Sequence, residues 1–347
     1  MKYGRITYND MTGGSTPYTN IGDWCQTFAI DNIYRRMGIA DSDIVNLNRS
    51  EISTYKGEKV LVVLQADCRQ LDQKDIFPVS EDIIPVYLGI HRTQKKNILK
   101  GIGKEKELIA CRDEETFNMF RFLGYDAFIS GCLTATLPKR PESGEYTEVY
   151  LVDCPGEIEK YVPDKYKGHI HKTTHEIFNR QNPETDSKAM YEEYKSRAAL
   201  VVTSRLHAAM PCMAFGIPVI LVRAYYDDRY SFIEKFTRPY LPEEFSEIDW
   251  EVQAVDLEEH KEKLLEIAQM MIRIKSSNDK ETNICCDTGH ELRKLSLDIH
   301  NFFMDRNRIK YTVPFKTKMY WKISELNPEL ARLIRLKLLK RFTVIGK

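Results

Sequence analysis

Along most of the chain, short apolar runs alternate with longer amphipathic stretches, and that alternation leaves few architectures open. The runs 59–65 (KVLVVLQ) and 84–90 (IPVYLGI) lack polar alternation, so each reads as a strand buried on both faces, the state of a parallel sheet covered by helices. Stretches 107–111 (ELIAC) and 127–130 (AFIS) bracket a predicted helix over 114–123 that Gly124 stops. A second series follows at 148–153 (EVYLVD), 169–173, 199–203 (ALVVT) and 219–222 (VILV). The expected fold class is α/β, with two Rossmann-like doubly wound domains facing a cleft. The Pro-, Gly- and charge-rich segment 138–145 (PKRPESGE) is the best seam, which gives domains 1–138 and 145–300 and a basic helical tail 301–347.

Charge narrows the partners. Lys and Arg number 51 and Asp and Glu number 51, a balance that argues against a dedicated nucleic-acid binder. Hydrophobic residues at 42% and charged residues at 29% exclude wholesale disorder and a small disulfide-stapled scaffold. Eight cysteines without a C-x-x-C are expected to be reduced thiols of a cytoplasmic protein. No apolar segment follows Met1-Lys2-Tyr3-Gly4-Arg5, so no secretory signal is expected, and no run approaches the ~18 apolar residues of a membrane span. The tail breaks the balance: residues 306–347 hold 12 Lys and Arg against two acids, Glu325 and Glu329. Within it, 325–342 is a predicted helix whose Leu326, Leu330, Leu333, Ile334 and Leu338 share a broad face. A basic amphipathic helix reads as a membrane-surface element or as a helix packed back across the first domain, and the two are compatible.

Three segments suit a small anion. In 201–220 an apolar strand runs into Ser204, a predicted N-cap, with Arg205, Leu206 and His207 opening a helix that Gly216 and Pro218 stop. The carboxyl end of a parallel strand is where doubly wound sheets bind ligands, and free N–H groups at a helix start favour anions. The helix dipole disfavours a cationic imidazole, so His207 is expected neutral until an anion binds, and so placed it can act as a general acid or base. An ordinary strand–helix junction is the plainer alternative. In 110–116 (ACRDEET) another strand ends at Arg112, which either forks onto a carboxylate or phosphate or pairs with Asp113 or Glu115. In 20–27 (NIGDWCQT), with 13–16 (GGST) upstream, Asn20, Gly22 and Asp23 make a turn that can bring backbone amides to an anion. No Walker or dinucleotide fingerprint accompanies it. His169, His171 and His175 have metal-like spacing but no acidic or thiolate ligand expected nearby, so no metal and no cofactor are assigned.

Taken together, N-I-G-D at 20–23, C-R-D-E-E-T at 111–116, T-S-R-L-H-A-A-M-P-C-M-A-F-G-I-P-V-I at 203–220 and Y-Y-D-D-R-Y at 225–230 resemble the polysaccharide pyruvyl transferase family. The resemblance implies a glycosyltransferase-B-like fold and transfer of pyruvate from phosphoenolpyruvate to two hydroxyls of one sugar, forming a cyclic ketal. It implies His207 and Arg205 as the catalytic pair, and Arg112, Arg229, Ser204, Leu206, Asn20, Gly22 and Asp23 as the substrate-binding set. Arg112, Arg205 and Arg229 would then converge on the donor's two anionic groups, and Asp23 would orient the acceptor or cap its helix. Two departures stand out: Arg229 where the family commonly has Lys, and 130–134 (SGCLT) where it often has an acidic turn. The acceptor implied is a polyprenyl-diphosphate-linked saccharide at the inner face of the cytoplasmic membrane. The rival reading is a sugar-nucleotide glycosyltransferase of the same architecture, disfavoured by the lack of a paired acidic motif in the second domain.

Overall fold

Runs of buried β-branched and leucine residues build two parallel sheets, and helices cover their faces. The structure, a computed structural model, describes residues 1–9, 18–65, 77–91, 98, 102, 108–178, 181–225, 228–277, 284–309, 311, 313 and 315–334. The 13–16 segment therefore lies outside the described residues.

The first sheet contains β1 (Lys2–Thr7), β3 (Ile44–Asn48), β4 (Val60–Leu64), β5 (Ile83–Ile90), β6 (Leu108–Cys111) and β7 (Asp126–Ile129), in the order β3-β1-β4-β5-β6-β7. Every pairing in it is parallel. The second holds β8 (Glu148–Val152), β9 (Ile170–Thr173), β11 (Ala198–Thr203), β12 (Val219–Val222) and β13 (Pro239–Tyr240), ordered β13-β12-β11-β8-β9 and again parallel throughout. All residues of β4 and β12 are buried, as their unbroken apolar runs require. Strand order reverses beside β1 in the first sheet and beside β8 in the second, which puts a topological switch point at the carboxyl ends of β1–β4 and of β8–β11.

Between the sheets lies a third, two-stranded pairing. Residues 19–20 (β2) run antiparallel to 176–177 (β10), so a strand from the first lobe is stitched to the second. Helix α1 (Trp24–Arg36) follows β2 directly. Helix α2 (Glu114–Phe122) is capped by the Asp113 carboxylate, which accepts from Thr116 N at 3.0 Å, and it stops at Gly124, whose φ of 83° suits glycine. Helices α3 (Pro183–Arg197) and α4 (Leu206–Ala214) belong to the second lobe.

The chain then crosses back. Helices α5 (Glu258–Ser276) and α6 (Ile284–Met304), which sequence order grouped with the second domain, pack on the first: α5 lies against β4, β5 and α1, and α6 lies against β7. Ile129 N donates to His300 Nδ1 at 3.2 Å, and Arg293 pairs with Asp126 at 3.1 Å. One apolar cluster runs from Ile33 and Val63 through Leu133 to Met210, Val219 and Leu264, so the two lobes meet over packed side chains.

Helix α7 (Phe315–Leu326) lies across α2. The single helix expected over 325–342 is instead broken: Asn327 Oδ1 accepts from Leu330 N at 3.0 Å, and Pro328 opens a new helical segment that reaches 334, where description ends. Among the described residues no helix is long and apolar enough to cross a membrane.

Candidate active site

Two strand ends and one cross-lobe turn assemble the site. His207, the second residue of α4, donates through Nδ1 to Asp23 Oδ1 at 2.7 Å. Asp23 stands at the N-cap of α1 but makes no side-chain cap, because its carboxylate is turned across the lobes to the imidazole. Tyr191 OH fixes the backbone on both sides, donating to Gly22 O at 3.0 Å and also reaching His207 O. His207 therefore joins residues that are 184 positions apart in sequence.

The charge state expected for His207 is corrected here. Burial disfavours the imidazolium, but the hydrogen bond and charge of Asp23 and the neighbouring Cys132 sulfur outweigh it and push the pKa up to about 9. A local carboxylate overrides the helix dipole, so the ring is a cation at neutral pH. Its Nε2 is buried and has no hydrogen-bond partner of good geometry among the described residues.

Cys132, in the segment that replaces the expected acidic turn, is 2% exposed. Thr134 Oγ1 donates to its Sγ at 3.1 Å. Burial would raise this thiol, yet His207, Arg112 and the Thr134 hydroxyl together hold its pKa below the ordinary value. Arg112 comes from the first lobe at the end of β6, is 3% exposed, and leaves its Nε without a hydrogen-bond partner among the described residues; Asp113 Oδ2 is 3.6 Å away. Asp113 in turn binds His91 Nδ1 at 2.6 Å, which fixes the base of the arginine. A cation from each lobe, His207 and Arg112, thus acts on Cys132.

Arg205 is spent differently. It, and not Ser204, is the N-cap of α4, and its N–H donates to Thr203 Oγ1 at 2.9 Å. Its guanidinium is held by Asp153 Oδ2 at 2.9 Å and by Glu176, so the structure ties it to two carboxylates of its own lobe. Ser204 Oγ donates to Asp153 O at 2.5 Å, a bond that draws it away from capping. Leu206 is buried at the first turn. Arg229 lies half-buried in a short 3-10 turn (Asp228–Tyr230) packed against α2. Arg112, Arg205 and Arg229 therefore differ in engagement, and the first two do not share one set of partners.

Two residues escaped the sequence reading. Arg223 directly follows β12, donates to Ser204 O at 2.9 Å and stacks on Tyr230, 3.4 Å from its ring centroid. It is the cation closest in sequence after the last central strand, and the signal was present: an unbroken apolar run that ends on Arg, VILVR. Asp153 follows β8 with φ of 48°, a left-handed conformation that Asp tolerates, and binds both Arg205 and the His175 N–H.

The 20–23 turn serves as a latch. Asn20 Oδ1 accepts from Gly22 N at 3.2 Å, and Ile21 N donates to His175 O at 3.0 Å, so the amides expected to face an anion are already engaged. Gly22 is required by its neighbour: a Cβ there would lie 2.3 Å from His175 Nδ1. Burial holds His175 neutral, with its pKa down to about 3.

The expectation that His169 and His171 lack an acidic neighbour is overturned. Glu148 contacts both rings, and those contacts hold its carboxyl down to about 2. Among the described residues no group of three or more His, Cys, Asp or Glu could hold a metal ion. Two cavities lie away from His207, one lined by Glu234, Arg238 and Arg308 and one by Arg5, Asp31 and Arg35.

Residues 88–225 match the family model described as polysaccharide pyruvyl transferase. That span contains Arg112, Cys132, Ser204, Arg205 and His207, and it supports the resemblance seen in the motifs; Asn20, Gly22, Asp23 and Arg229 lie outside it. No curated protein matches the chain. Among solved structures it is similar to a functionally uncharacterized protein, KP1_0663, from Klebsiella pneumoniae subsp. pneumoniae NTUH-K2044, at 15% identity over 67% of this chain and 88% of that chain, with a TM-score of 0.40.

Proposed function

We propose, from the premise that residues 88–225 match the polysaccharide pyruvyl transferases, that this chain transfers pyruvate from phosphoenolpyruvate to two hydroxyls of one sugar and forms a cyclic ketal. The observation that carries the reading is the convergence of two cations, His207 from one lobe and the buried Arg112 from the other, on Cys132. An anion there would meet positive charge from both lobes, and phosphoenolpyruvate is an anion that also needs a proton on carbon. His207, cationic at neutral pH, gives its Nε2 proton to the methylene carbon. The adjacent carbon becomes oxocarbenium-like, and the first sugar hydroxyl attacks it and returns its proton to the imidazole. Phosphate then leaves with its bonding electron pair, and the second hydroxyl closes the ring as its proton passes to the departing phosphate. Arg112 stabilises charge on the departing phosphate. Asp23 keeps the imidazole oriented and charged, and Arg205 positions the strand ends through Asp153 and Glu176.

On this reading the two lobes are the halves of a glycosyltransferase-B-like enzyme, the first built from residues up to 138 and completed by the returning helices α5 and α6, the second beginning at 145, with a basic tail after them. The acceptor is a lipid-linked saccharide, and no cofactor is needed beyond the donor substrate. The test is binding before turnover. Phosphoenolpyruvate should raise the melting temperature of the full chain, Arg112→Ala should abolish that protection, and acceptor-dependent phosphate release should follow. Protection by a sugar nucleotide, with none by phosphoenolpyruvate, would replace this reading by the glycosyltransferase one.

A further inference from the structure

The tail carries a surface that the active site does not use. Helix α7 is fixed to α2 by polar contacts: Asn118 Nδ2 donates to Ser324 Oγ at 3.1 Å, and Arg306 bridges Glu114 at 2.7 Å and Glu325 at 3.2 Å. The Arg306 guanidinium also sits 4.2 Å from the Trp321 ring centroid. Thr317 and Ser324 are buried, which defines the inner side. The outer side presents Lys318, Met319, Lys322 and Leu326, and Met319, Lys322 and Leu326 follow one helical stripe at spacings i, i+3, i+7. Beyond Pro328, Leu330 and Leu333 share a face of the next segment. Leu326 is 81% exposed, and Met319, Leu330 and Leu333 are about half exposed at 48%, 48% and 50%. Four large apolar side chains open to solvent within 319–333 form a concentration that the scattered exposures elsewhere among the described residues do not match.

Charge says what covers it. Residues 306–347 carry 12 basic and two acidic side chains, so residues 1–305 carry 39 basic and 49 acidic ones. Positive charge is thus concentrated in the segment of sequence that contains this face, and the rest of the chain is acidic. An anionic sheet attracts that segment and repels the rest, which orients the chain before contact. A second copy meeting the same face would bring like charge against like. Exposed leucines flanked by lysines are the pattern of a helix seated at headgroup depth.

We propose that this face, Met319, Lys322, Leu326, Leu330 and Leu333 in the basic 306–347 segment, docks reversibly on an anionic lipid surface. The inference stands apart from the pyruvyl transfer reading, and its test needs no activity. The full chain is sedimented with vesicles of equal parts phosphatidylglycerol and phosphatidylcholine, with pure phosphatidylcholine vesicles, and alone. The expected result is sedimentation with the anionic vesicles only, lost at high salt because the attraction is screened. Leu326→Glu with Leu330→Glu should weaken it by about tenfold, and Lys318→Glu with Lys322→Glu by several-fold, with melting temperatures unchanged because all four side chains are exposed. Failure to sediment with anionic vesicles at low salt overturns the proposal, as does equal sedimentation with neutral ones. Concentration-dependent dimerisation that the leucine variant abolishes, with no vesicle binding, assigns the face to a second copy and overturns it equally.

Discussion

Cys111 and Thr203 end buried strands of the two sheets, and an arginine stands between each strand and the helix that follows. Locally the two junctions are alike. In the first lobe Asp113 caps the helix and stands 3.6 Å from Nε of the buried Arg112, beyond hydrogen-bond reach. In the second, Arg205 occupies the cap position itself, and Asp153 and Glu176 neutralise its guanidinium. The strand–arginine–helix pattern thus delivers a cation to a strand end, and the neighbours brought in from other strands decide whether that charge remains available to a ligand or is consumed in holding the lobe together. His207 shows the complementary case: a carboxylate partner on Nδ1 leaves it charged.

The sharpest break of this comparison is at the imidazole. His207→Ala is expected to lower pyruvyl transfer by ~10²–10⁴ while circular dichroism reports an unchanged fold. A folded variant with normal turnover removes His207 from the chemistry.

Next come the two arginines, which should fail differently. Arg112→Ala should raise the donor KM by ~10- to 100-fold, and lysine should rescue it poorly. Arg205→Ala should leave Asp153 and Glu176 facing each other unpaired, costing about 1–3 kcal/mol in urea unfolding, with a smaller change in KM. If Arg205→Ala shifts KM as much as Arg112→Ala and leaves stability untouched, the contrast between the junctions is wrong.

Asp23→Asn sharpens the same point through pH. The folded pKa of His207 is about 9 against an ordinary value of 6.5, so the pairing stabilises the fold fully below pH 6.5 and its contribution disappears as pH rises through 9. The wild-type advantage over Asp23→Asn should be on the order of 2 kcal/mol at pH 6 and should close by pH 10. Denaturant melts at the two values check it; a gap that widens with pH contradicts the sign.

The smallest effect is at Cys132→Ser. Loss of the soft sulfur acceptor should lower the titration midpoint of the His207 ring, followed by NMR, by less than Asp23→Asn does. A midpoint that does not move separates Cys132 from the imidazole.

Strands buried on both faces were legible almost residue for residue: 219–222 is β12, and 59–65 contains β4. β1 and β3 carry mixed patterns, KYGRIT and IVNLN, because they sit half-buried toward the sheet edge, and no apolar run announces them. At the site, residue types were readable and partnerships were not. That His207 and Arg112 stand at strand ends was readable, but Asp23 across the lobes and Asp153 and Glu176 around Arg205 are long-range contacts that local pattern does not encode. The position of Arg205 at the cap followed from Ser204 preferring the Asp153 carbonyl, a competition visible only once β8 lies beside β11. The grouping of 258–300 with the second domain departs from the packing for a related reason: order along the chain was taken for order in space.

That return path governs how the protein can be made. The first sheet emerges from the ribosome early, yet α5 and α6, which cover β4, β5 and β7, are synthesised only after the entire second lobe. Until then Val63, Leu88 and Ile129, fully buried in the finished molecule, lack part of their cover. Nascent chains shorter than about 300 residues consequently present an open apolar sheet face to chaperones and to one another, and the first lobe, although encoded first, is completed last.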